Sequence, residues 1–311
     1  MLKNLTRASD RALVKLCALA CALAISPTSA AEPLKIGFVY VSPIGQAGWT
    51  WQHDQARQAM QKSLGARVQT RHVEAVPEGA DAERVMRELA ADGTTLIFAT
   101  SFGYLEPALR VAAEHKDVKF EHAGGYKTAP NLNTYNARFY EGRWLAGWLA
   151  GKSSKSGVAG YVAGFPLPEV IQGINAFALG MRAANPNATV RVAWLGTWFD
   201  PPKEREAALA LIGGGADVLA NHSGSPAVPQ TAQERGVKVI GYQSDMSRFA
   251  PDAQLAAVTS DWSGYYTRVA QAVMAGTWQA QPVWGGMKDG MLRLSAVHAA
   301  VPAEVKRELA A

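Results

Sequence analysis

Cysteine is nearly missing from this chain of 311 residues, and the two that occur, Cys17 and Cys21, both lie in its first thirty. Residues 1–30 read as a secretory signal. Lys3, Arg7, Arg11 and Lys15 make a basic start, Leu16 to Ile25 is an apolar core too short to span a bilayer, and Pro27-Thr28-Ser29-Ala30-Ala31 offers small residues for cleavage near Ala30 or Ala31. A mature chain without that segment has no thiol, which excludes disulfides and cysteine metal sites. Lipoprotein-type cleavage before Cys21 competes with this reading, but Ala18-Leu19-Ala20 fits that signal poorly because its leucine is displaced.

Concentrated positive charge is also lacking. Removing residues 1–30 takes away four basic residues and one acid, so the formal net charge falls from +5 to +2. No basic stripe of the kind nucleic-acid binding needs remains, and no later run of about eighteen apolar residues could span a membrane. Catalytic signatures are missing too: there is no Gly-x-Ser-x-Gly elbow, no His-Glu-x-x-His, no phosphate loop and no Gly-x-Gly-x-x-Gly after the first strand. No metal site or cofactor is expected. His53-Asp54 could suggest acid–base chemistry, but their place at the start of an amphipathic helix predicts a solvated face. Gly213-Gly214-Gly215 reads as a helix stop.

What is there is an alternating pattern. The first strand, Lys35–Tyr40, is followed by helix Gln52–Leu64, strand Arg67–Val73, helix Ala80–Ala91, strand Thr94–Ala99, helix Leu105–Glu114 and strand Val118–His122. Short apolar runs interleaved with amphipathic helices predict a parallel sheet covered on both faces. After a helix from about Tyr140 to Ser153 the series restarts: strand Val158–Ala163, helix Pro168–Ala184, strand Thr189–Leu195, helix Pro201–Ile212, strand Val218–Ala220, helix Ala227–Arg235 and strand Lys238–Gly241. The fold class is therefore α/β, with two Rossmann-like lobes. Strand Leu255–Thr259, helix Gly264–Ala275, the strand-like Trp284 to Ser295 and helix Pro302–Ala310 are too few to bury a third core. They should complete the two lobes through a hinge of several crossings. The expected division is 34–150 plus 255–280 for the first lobe and 154–250 plus 282–311 for the second.

Open parallel sheets hold ligands at the carboxyl ends of their strands. There this sequence places Trp49 and Thr50, Ser101 and Phe102, then Trp198, His222, Gln243, Asp245, Asp261 and Trp262, with Tyr140 opening the linker helix. The set is rich in aromatics with a few acids and amides, as suits a planar heterocycle, each stacked face contributing roughly 1–3 kcal/mol. Asp200 before Pro201-Pro202 is expected to cap a helix. Asp245 and Asp261, with no such helix start behind them, are the better polar candidates. Trp51 should pack against its own lobe.

Several of these stretches together resemble the basic membrane protein family, the substrate-binding proteins of ABC importers that include the purine nucleoside receptors. They are Lys35–Tyr40 with Gly48-Trp49-Thr50-Trp51, Tyr140-Glu141-Gly142, Thr197-Trp198-Phe199-Asp200-Pro201-Pro202-Lys203-Glu204 and Met287-Lys288-Asp289-Gly290. The resemblance covers residues 34 to 305. It implies a type I periplasmic binding fold that closes on a purine between two aromatic rings, matched here by Trp49 and Trp198, with Asp245 carried over from the family's acidic turn. Departures are informative. Where the nucleoside receptors have an aspartate and a Phe-Asn pair, Val41 to Gln52 contains no acid. Gln243 replaces one carboxylate, and a family lysine near Asp261-Trp262 is missing.

Fewer groups suited to ribose lead to the expectation of a free base such as adenine rather than a nucleoside. The expected protein is a periplasmic monomer that hands its ligand to an inner-membrane permease and ATPase. An enzyme acting on nucleosides or nucleobases and a sensory ligand-binding module are the competing classes.

Overall fold

The computed structural model describes residues 32–310, so the expected signal segment and both cysteines lie outside the described residues. The chain enters through β1 (Leu34–Val39), whose Ile36–Val39 are buried, and which pairs in parallel with β2 (Val68–Val73) and β3 (Leu96–Ala99). β4 (Lys119–Ala123) and β5 (Leu132–Ala137) extend this sheet, and β11 (Val283–Gly285) closes its edge, giving the order β11-β5-β4-β3-β1-β2 with every pair parallel. The second sheet repeats the plan. It runs β12 (Leu292–Leu294), β10 (Gln254–Ser260), β9 (Lys238–Gln243), β8 (Val218–His222), β6 (Val158–Ala163) and β7 (Thr189–Trp194), with only β12 antiparallel. Continuous apolar runs such as Leu96–Ala99, buried at every position, are what sheets covered on both faces require.

Helices α1 (Gly48–Leu64), α2 (Ala80–Ala91) and α3 (Leu105–Glu114) cover the first sheet. On the second sheet lie α4 (Phe139–Ser153), α5 (Pro168–Ala184), α6 (Pro201–Gly213), α7 (Ala227–Arg235) and α9 (Ala303–Ala310), while α8 (Ser263–Met274) returns to pack on α1. α4 and α5 approach so closely that a Cβ at Gly147 or Gly180 would overlap the carbonyl of Phe177 or Trp144.

This placement corrects the expected lobe boundaries. Leu255–Thr259, expected in the first lobe, is the heart of β10 in the second sheet, paired in parallel with β9. Trp284, expected in the second, belongs to β11 of the first sheet, where it faces Asn136. The linker helix, expected to end the first lobe, packs on the second because its glycines fit α5. β5 was not anticipated at all. Its sequence LNTYNA is polar, yet Asn133 meets the buried Glu121 and the Tyr265 hydroxyl, each at 3.2 Å, so the strand is buried by hydrogen bonding rather than by apolar patterning.

Three passages join the sheets: Ala137 to Phe139, Ser260 to Ser263, and Gly285 to Leu292. One side of this hinge is clamped by Arg138, which pairs with Glu141 at 2.5 Å and Asp289 at 3.0 Å, while the Met287 amide donates to Glu141.

Candidate functional site

In both sheets the strand order 2-1-3-4-5 reverses beside the first strand of the lobe, and there the loops leaving neighbouring strands diverge into a crevice. The two crevices face one another. Val41, Ser42 and Trp49 after β1, Ser101 and Phe102 after β3, and Ala123 and Gly124 at the end of β4 form one wall of a shared cavity. Leu167, Glu169 and Val170 after β6, Trp198 after β7, His222, Ser223 and Gly224 at the end of β8, and Tyr242 and Gln243 at the end of β9 form the other.

Trp49 sits in the first turn of α1, which begins four residues earlier than its periodicity predicts because Gly48, at φ +88°, turns the chain into the helix. The indole Nε1 donates to the Thr100 carbonyl at 2.6 Å, and the ring packs edge-on against His53 with centroids 4.3 Å apart. His53 and Asp54, expected on a solvated face, are both buried. His53 stacks on Trp262 and bonds the Tyr266 hydroxyl, and burial pushes its pKa down to about 3, so it is a neutral part of the packing behind Trp49. Asp54 ties Arg57, Gln58 and the Tyr40 hydroxyl together.

Trp198 reaches in from the opposite lobe. Its ring lies against Gly164, where a Cβ would come within 2.7 Å of Cε3, and meets Phe165 edge-on at 4.9 Å. Its Nε1 donates across the cleft to Glu78 at 3.2 Å, and the same carboxylate oxygen accepts from Ser101 Oγ at 2.6 Å and the Gly103 amide at 3.0 Å. Glu78 thus receives donors from both lobes. Further bonds cross the mouth. The Gly48 amide donates to Ser244 Oγ at 2.9 Å, Asn136 Nδ2 donates to Glu169 at 2.6 Å, and Gln52 and Arg248 reach the Ser260 and Gln46 carbonyls. The lobes are therefore in contact around the cavity.

Six of the eleven residues singled out in the sequence come together on its walls: Trp49, Ser101, Phe102, Trp198, His222 and Gln243. The other five do not line it. Thr50 is buried beside Ser42, their hydroxyls 2.7 Å apart. Tyr140 faces away, its ring against Trp284. Asp245 is turned to its own loop, accepting from the Ser247 amide at 2.9 Å and Gln254 at 2.7 Å. Asp261 accepts from the Ser263 amide at the start of α8 and pairs with Arg293 at 2.9 Å, so it shapes the turn that passes between the lobes. Trp262 is buried in the aromatic stack behind Trp49. For both aspartates the structure supplies the helix or loop amides that the sequence pattern concealed. Asp200 caps α6 as expected, accepting from the Lys203 amide at 3.1 Å.

Sequence reasoning missed Glu78, Glu169, Tyr242 and Ser42. Glu78 lies before α2 with no motif around it, and only its position opposite Trp198 reveals it. Glu169 follows a proline at a helix start, a pattern that reads as an ordinary first-turn acid. Burial raises its pKa, opposed by the Asn136 amide and by Arg143. His222 is held neutral by burial and by Arg143. Gln243 adopts φ +66°, a left-handed conformation rare outside glycine, and its Oε1 accepts from Ser260 Oγ at 2.9 Å. Below the loop after β8, buried Glu204 accepts from Ser223 and Ser225 Oγ at 2.8 and 2.7 Å and holds that loop in shape. Among the described residues no group of His, Cys, Asp and Glu side chains could hold a metal ion. None of the helices there is long and apolar enough to cross a membrane.

The family described as ABC transporter substrate-binding protein PnrA-like matches residues 34–310. A purine-binding protein of Brucella abortus is 51% identical over 278 residues, covering 89% of this chain and 79% of that protein. A putative ABC transporter glucose-binding protein of Haloferax volcanii is 42% identical over 283 residues, covering 91% and 72%. Among solved structures, an ABC transporter solute-binding protein of Conexibacter woesei superposes with a TM-score of 0.72 at 24% identity, covering 89% of this chain and 94% of that one. The two lobes are those of the type I periplasmic binding fold.

Proposed function

The chain belongs to the PnrA-like family of ABC transporter substrate-binding proteins, and we propose that it captures a purine, a free base such as adenine in preference to a nucleoside, between Trp49 and Trp198. One observation carries this reading. Two tryptophans from opposite lobes line one cavity, and each has its N–H already bonded to the first lobe, which leaves the rings available for stacking. Two stacked faces at roughly 1–3 kcal/mol each, with a few buried hydrogen bonds, reach affinities of about micromolar to nanomolar after ordering costs.

The polar lining supports a neutral ligand with N–H groups. No lysine or arginine is on the cavity wall itself; the Arg143 guanidinium is buried behind it against the Tyr242 ring, His222 is neutral, and Glu169 on the wall is an acid, a setting that suits a neutral ligand better than an anion. From the stretch Val41–Gln52 only Ser42 adds a polar side chain to the wall, leaving little there for ribose hydroxyls. The relative at 51% identity is a purine-binding protein, which supports a purine ligand. In this reading ligand favours the closed state because the bonds across the mouth exist only there, and an inner-membrane permease complex recognises that shape.

Mass spectrometry of small molecules released from the purified protein, followed by calorimetry with adenine, adenosine and glucose, tests the reading. Adenine should bind and glucose should not. A clear preference for adenosine would overturn the base-only form, and binding of glucose alone would overturn the whole.

A further inference from the structure

Glu169 is placed unlike any other polar group on the cavity wall. It stands in the first turn of α5, lines the cavity from the second lobe, and has one carboxylate oxygen, Oε2, held by Asn136 Nδ2 of the first lobe at 2.6 Å. That oxygen rests over Gly124, at φ +73°, where a Cβ would sit 3.7 Å away. The second oxygen, Oε1, accepts no hydrogen bond from the described residues, and the side chain is only half-buried because it opens onto the cavity. Its neighbours on the wall are Phe102, Leu167, Val170 and the Gly124 backbone, and none of these side chains donates a hydrogen bond. A carboxylate anchored at one oxygen and free at the other, among apolar and aromatic wall residues with the buried Arg143 as its nearest countercharge, is complementary to an N–H on the edge of a planar ring.

We propose that Glu169 sets ligand specificity: its Oε1 accepts an N–H from the edge of the bound heterocycle, while Oε2 keeps the lobes joined through Asn136. The inference rests on the purine reading and adds the chemistry of selection. Two N–H groups of a base could fill the role, the ring N–H that is lost when a sugar is attached, or an exocyclic amino group. The first would make Glu169 the reason a free base is preferred to a nucleoside, because glycosylation would leave a half-buried acid facing carbon.

The test is calorimetry of wild type, Glu169→Gln, Glu169→Ala and Asn136→Ala with adenine, 9-methyladenine and unsubstituted purine. 9-Methyladenine removes the ring N–H, and unsubstituted purine removes the amino group. In wild type one of these edits should weaken binding by about tenfold or more. In Glu169→Ala adenine should weaken by about tenfold or more and the penalty of that same edit should shrink below about threefold. Asn136→Ala, which removes the link between lobes and the local bond from the Ala137 amide but leaves the Glu169 carboxylate present, should weaken all three ligands by a common factor and preserve the penalty. Glu169→Gln keeps the volume and the Asn136 contact, so it stands in for Glu169→Ala if that variant fails to fold.

Adenine affinity within about threefold of wild type in the Glu169 variants, or an equal loss for all three ligands, would overturn the proposal while leaving the purine reading intact. Failure of wild type to bind any of the three would remove both.

Discussion

Trp198 is fixed by contacts at its edge and on one side: Glu78 holds its N–H from across the cleft, and Gly164 leaves room for its ring. Trp198→Ala removes a stacking face and one bond across the mouth, so purine affinity should fall by about tenfold or more while circular dichroism shows the fold intact. Equal affinity in a titration would take Trp198 out of the site. Glu78→Ala should cut affinity less steeply, by a factor of about three to ten, since the ring remains but loses its anchor. Behind the site, Glu121 is buried among Tyr265, Trp278 and Asn133, and burial raises its pKa to about 7 against the pull of those three donors. A carboxyl whose folded pKa lies above its unfolded value stabilises the fold below the unfolded pKa and loses that contribution as pH rises through the folded one. Glu121→Gln should therefore gain on wild type by on the order of 3 kcal/mol between pH 4.5 and pH 8, measured by urea unfolding. A stability difference independent of pH would show that Glu121 does not titrate in this range.

At the scale of the element, the loop-to-helix junction at Gly48 decides how near the lobes can come. Its φ of +88° is one that L side chains rarely adopt, and a Cβ there would overlap the Gly224 carbonyl oxygen of the other lobe. Gly48→Ala should keep both lobes folded, at a cost of about 1–2 kcal/mol in stability, and prevent full closure. Small-angle scattering would then show no compaction on adding purine, whereas wild type compacts.

Most regular elements were legible because their apolar runs and amphipathic periods are strong: α2 and α5 fall on their expected residues, and β1 and β6 follow theirs within a residue. β5 was not legible, because its buried face is polar and is satisfied by the distant Glu121, Tyr265, Tyr266 and Glu169. The start of α1 was misplaced for a related reason, since Gly48 opens that helix and is stabilised by Ser244, nearly two hundred residues away in sequence. In the site, Trp49, Ser101, Phe102 and Trp198 could be read from strand ends, whereas Thr50, Tyr140 and Trp262 pack elsewhere. The acids could not, because a carboxylate that binds and one that caps carry the same local signature, and Asp245 and Asp261 proved to serve nearby amides while Glu78 and Glu169 face the cleft.

At the scale of the whole molecule, two sheets of the same order set their switch points face to face, and three short passages allow the lobes to part. The bonds across the mouth, from Gly48 to Ser244, Trp198 to Glu78 and Asn136 to Glu169, are individually modest and together bias the closed form. Ligand adds to that bias only if its own contacts draw on both lobes. The most direct check is calorimetric titration of the wild-type protein, stripped of bound small molecules, with adenine and with adenosine. Adenine should bind with a dissociation constant of about micromolar or tighter and adenosine more weakly by about tenfold or more. No heat with adenine, or tighter binding of adenosine, would contradict capture of a free base between Trp49 and Trp198.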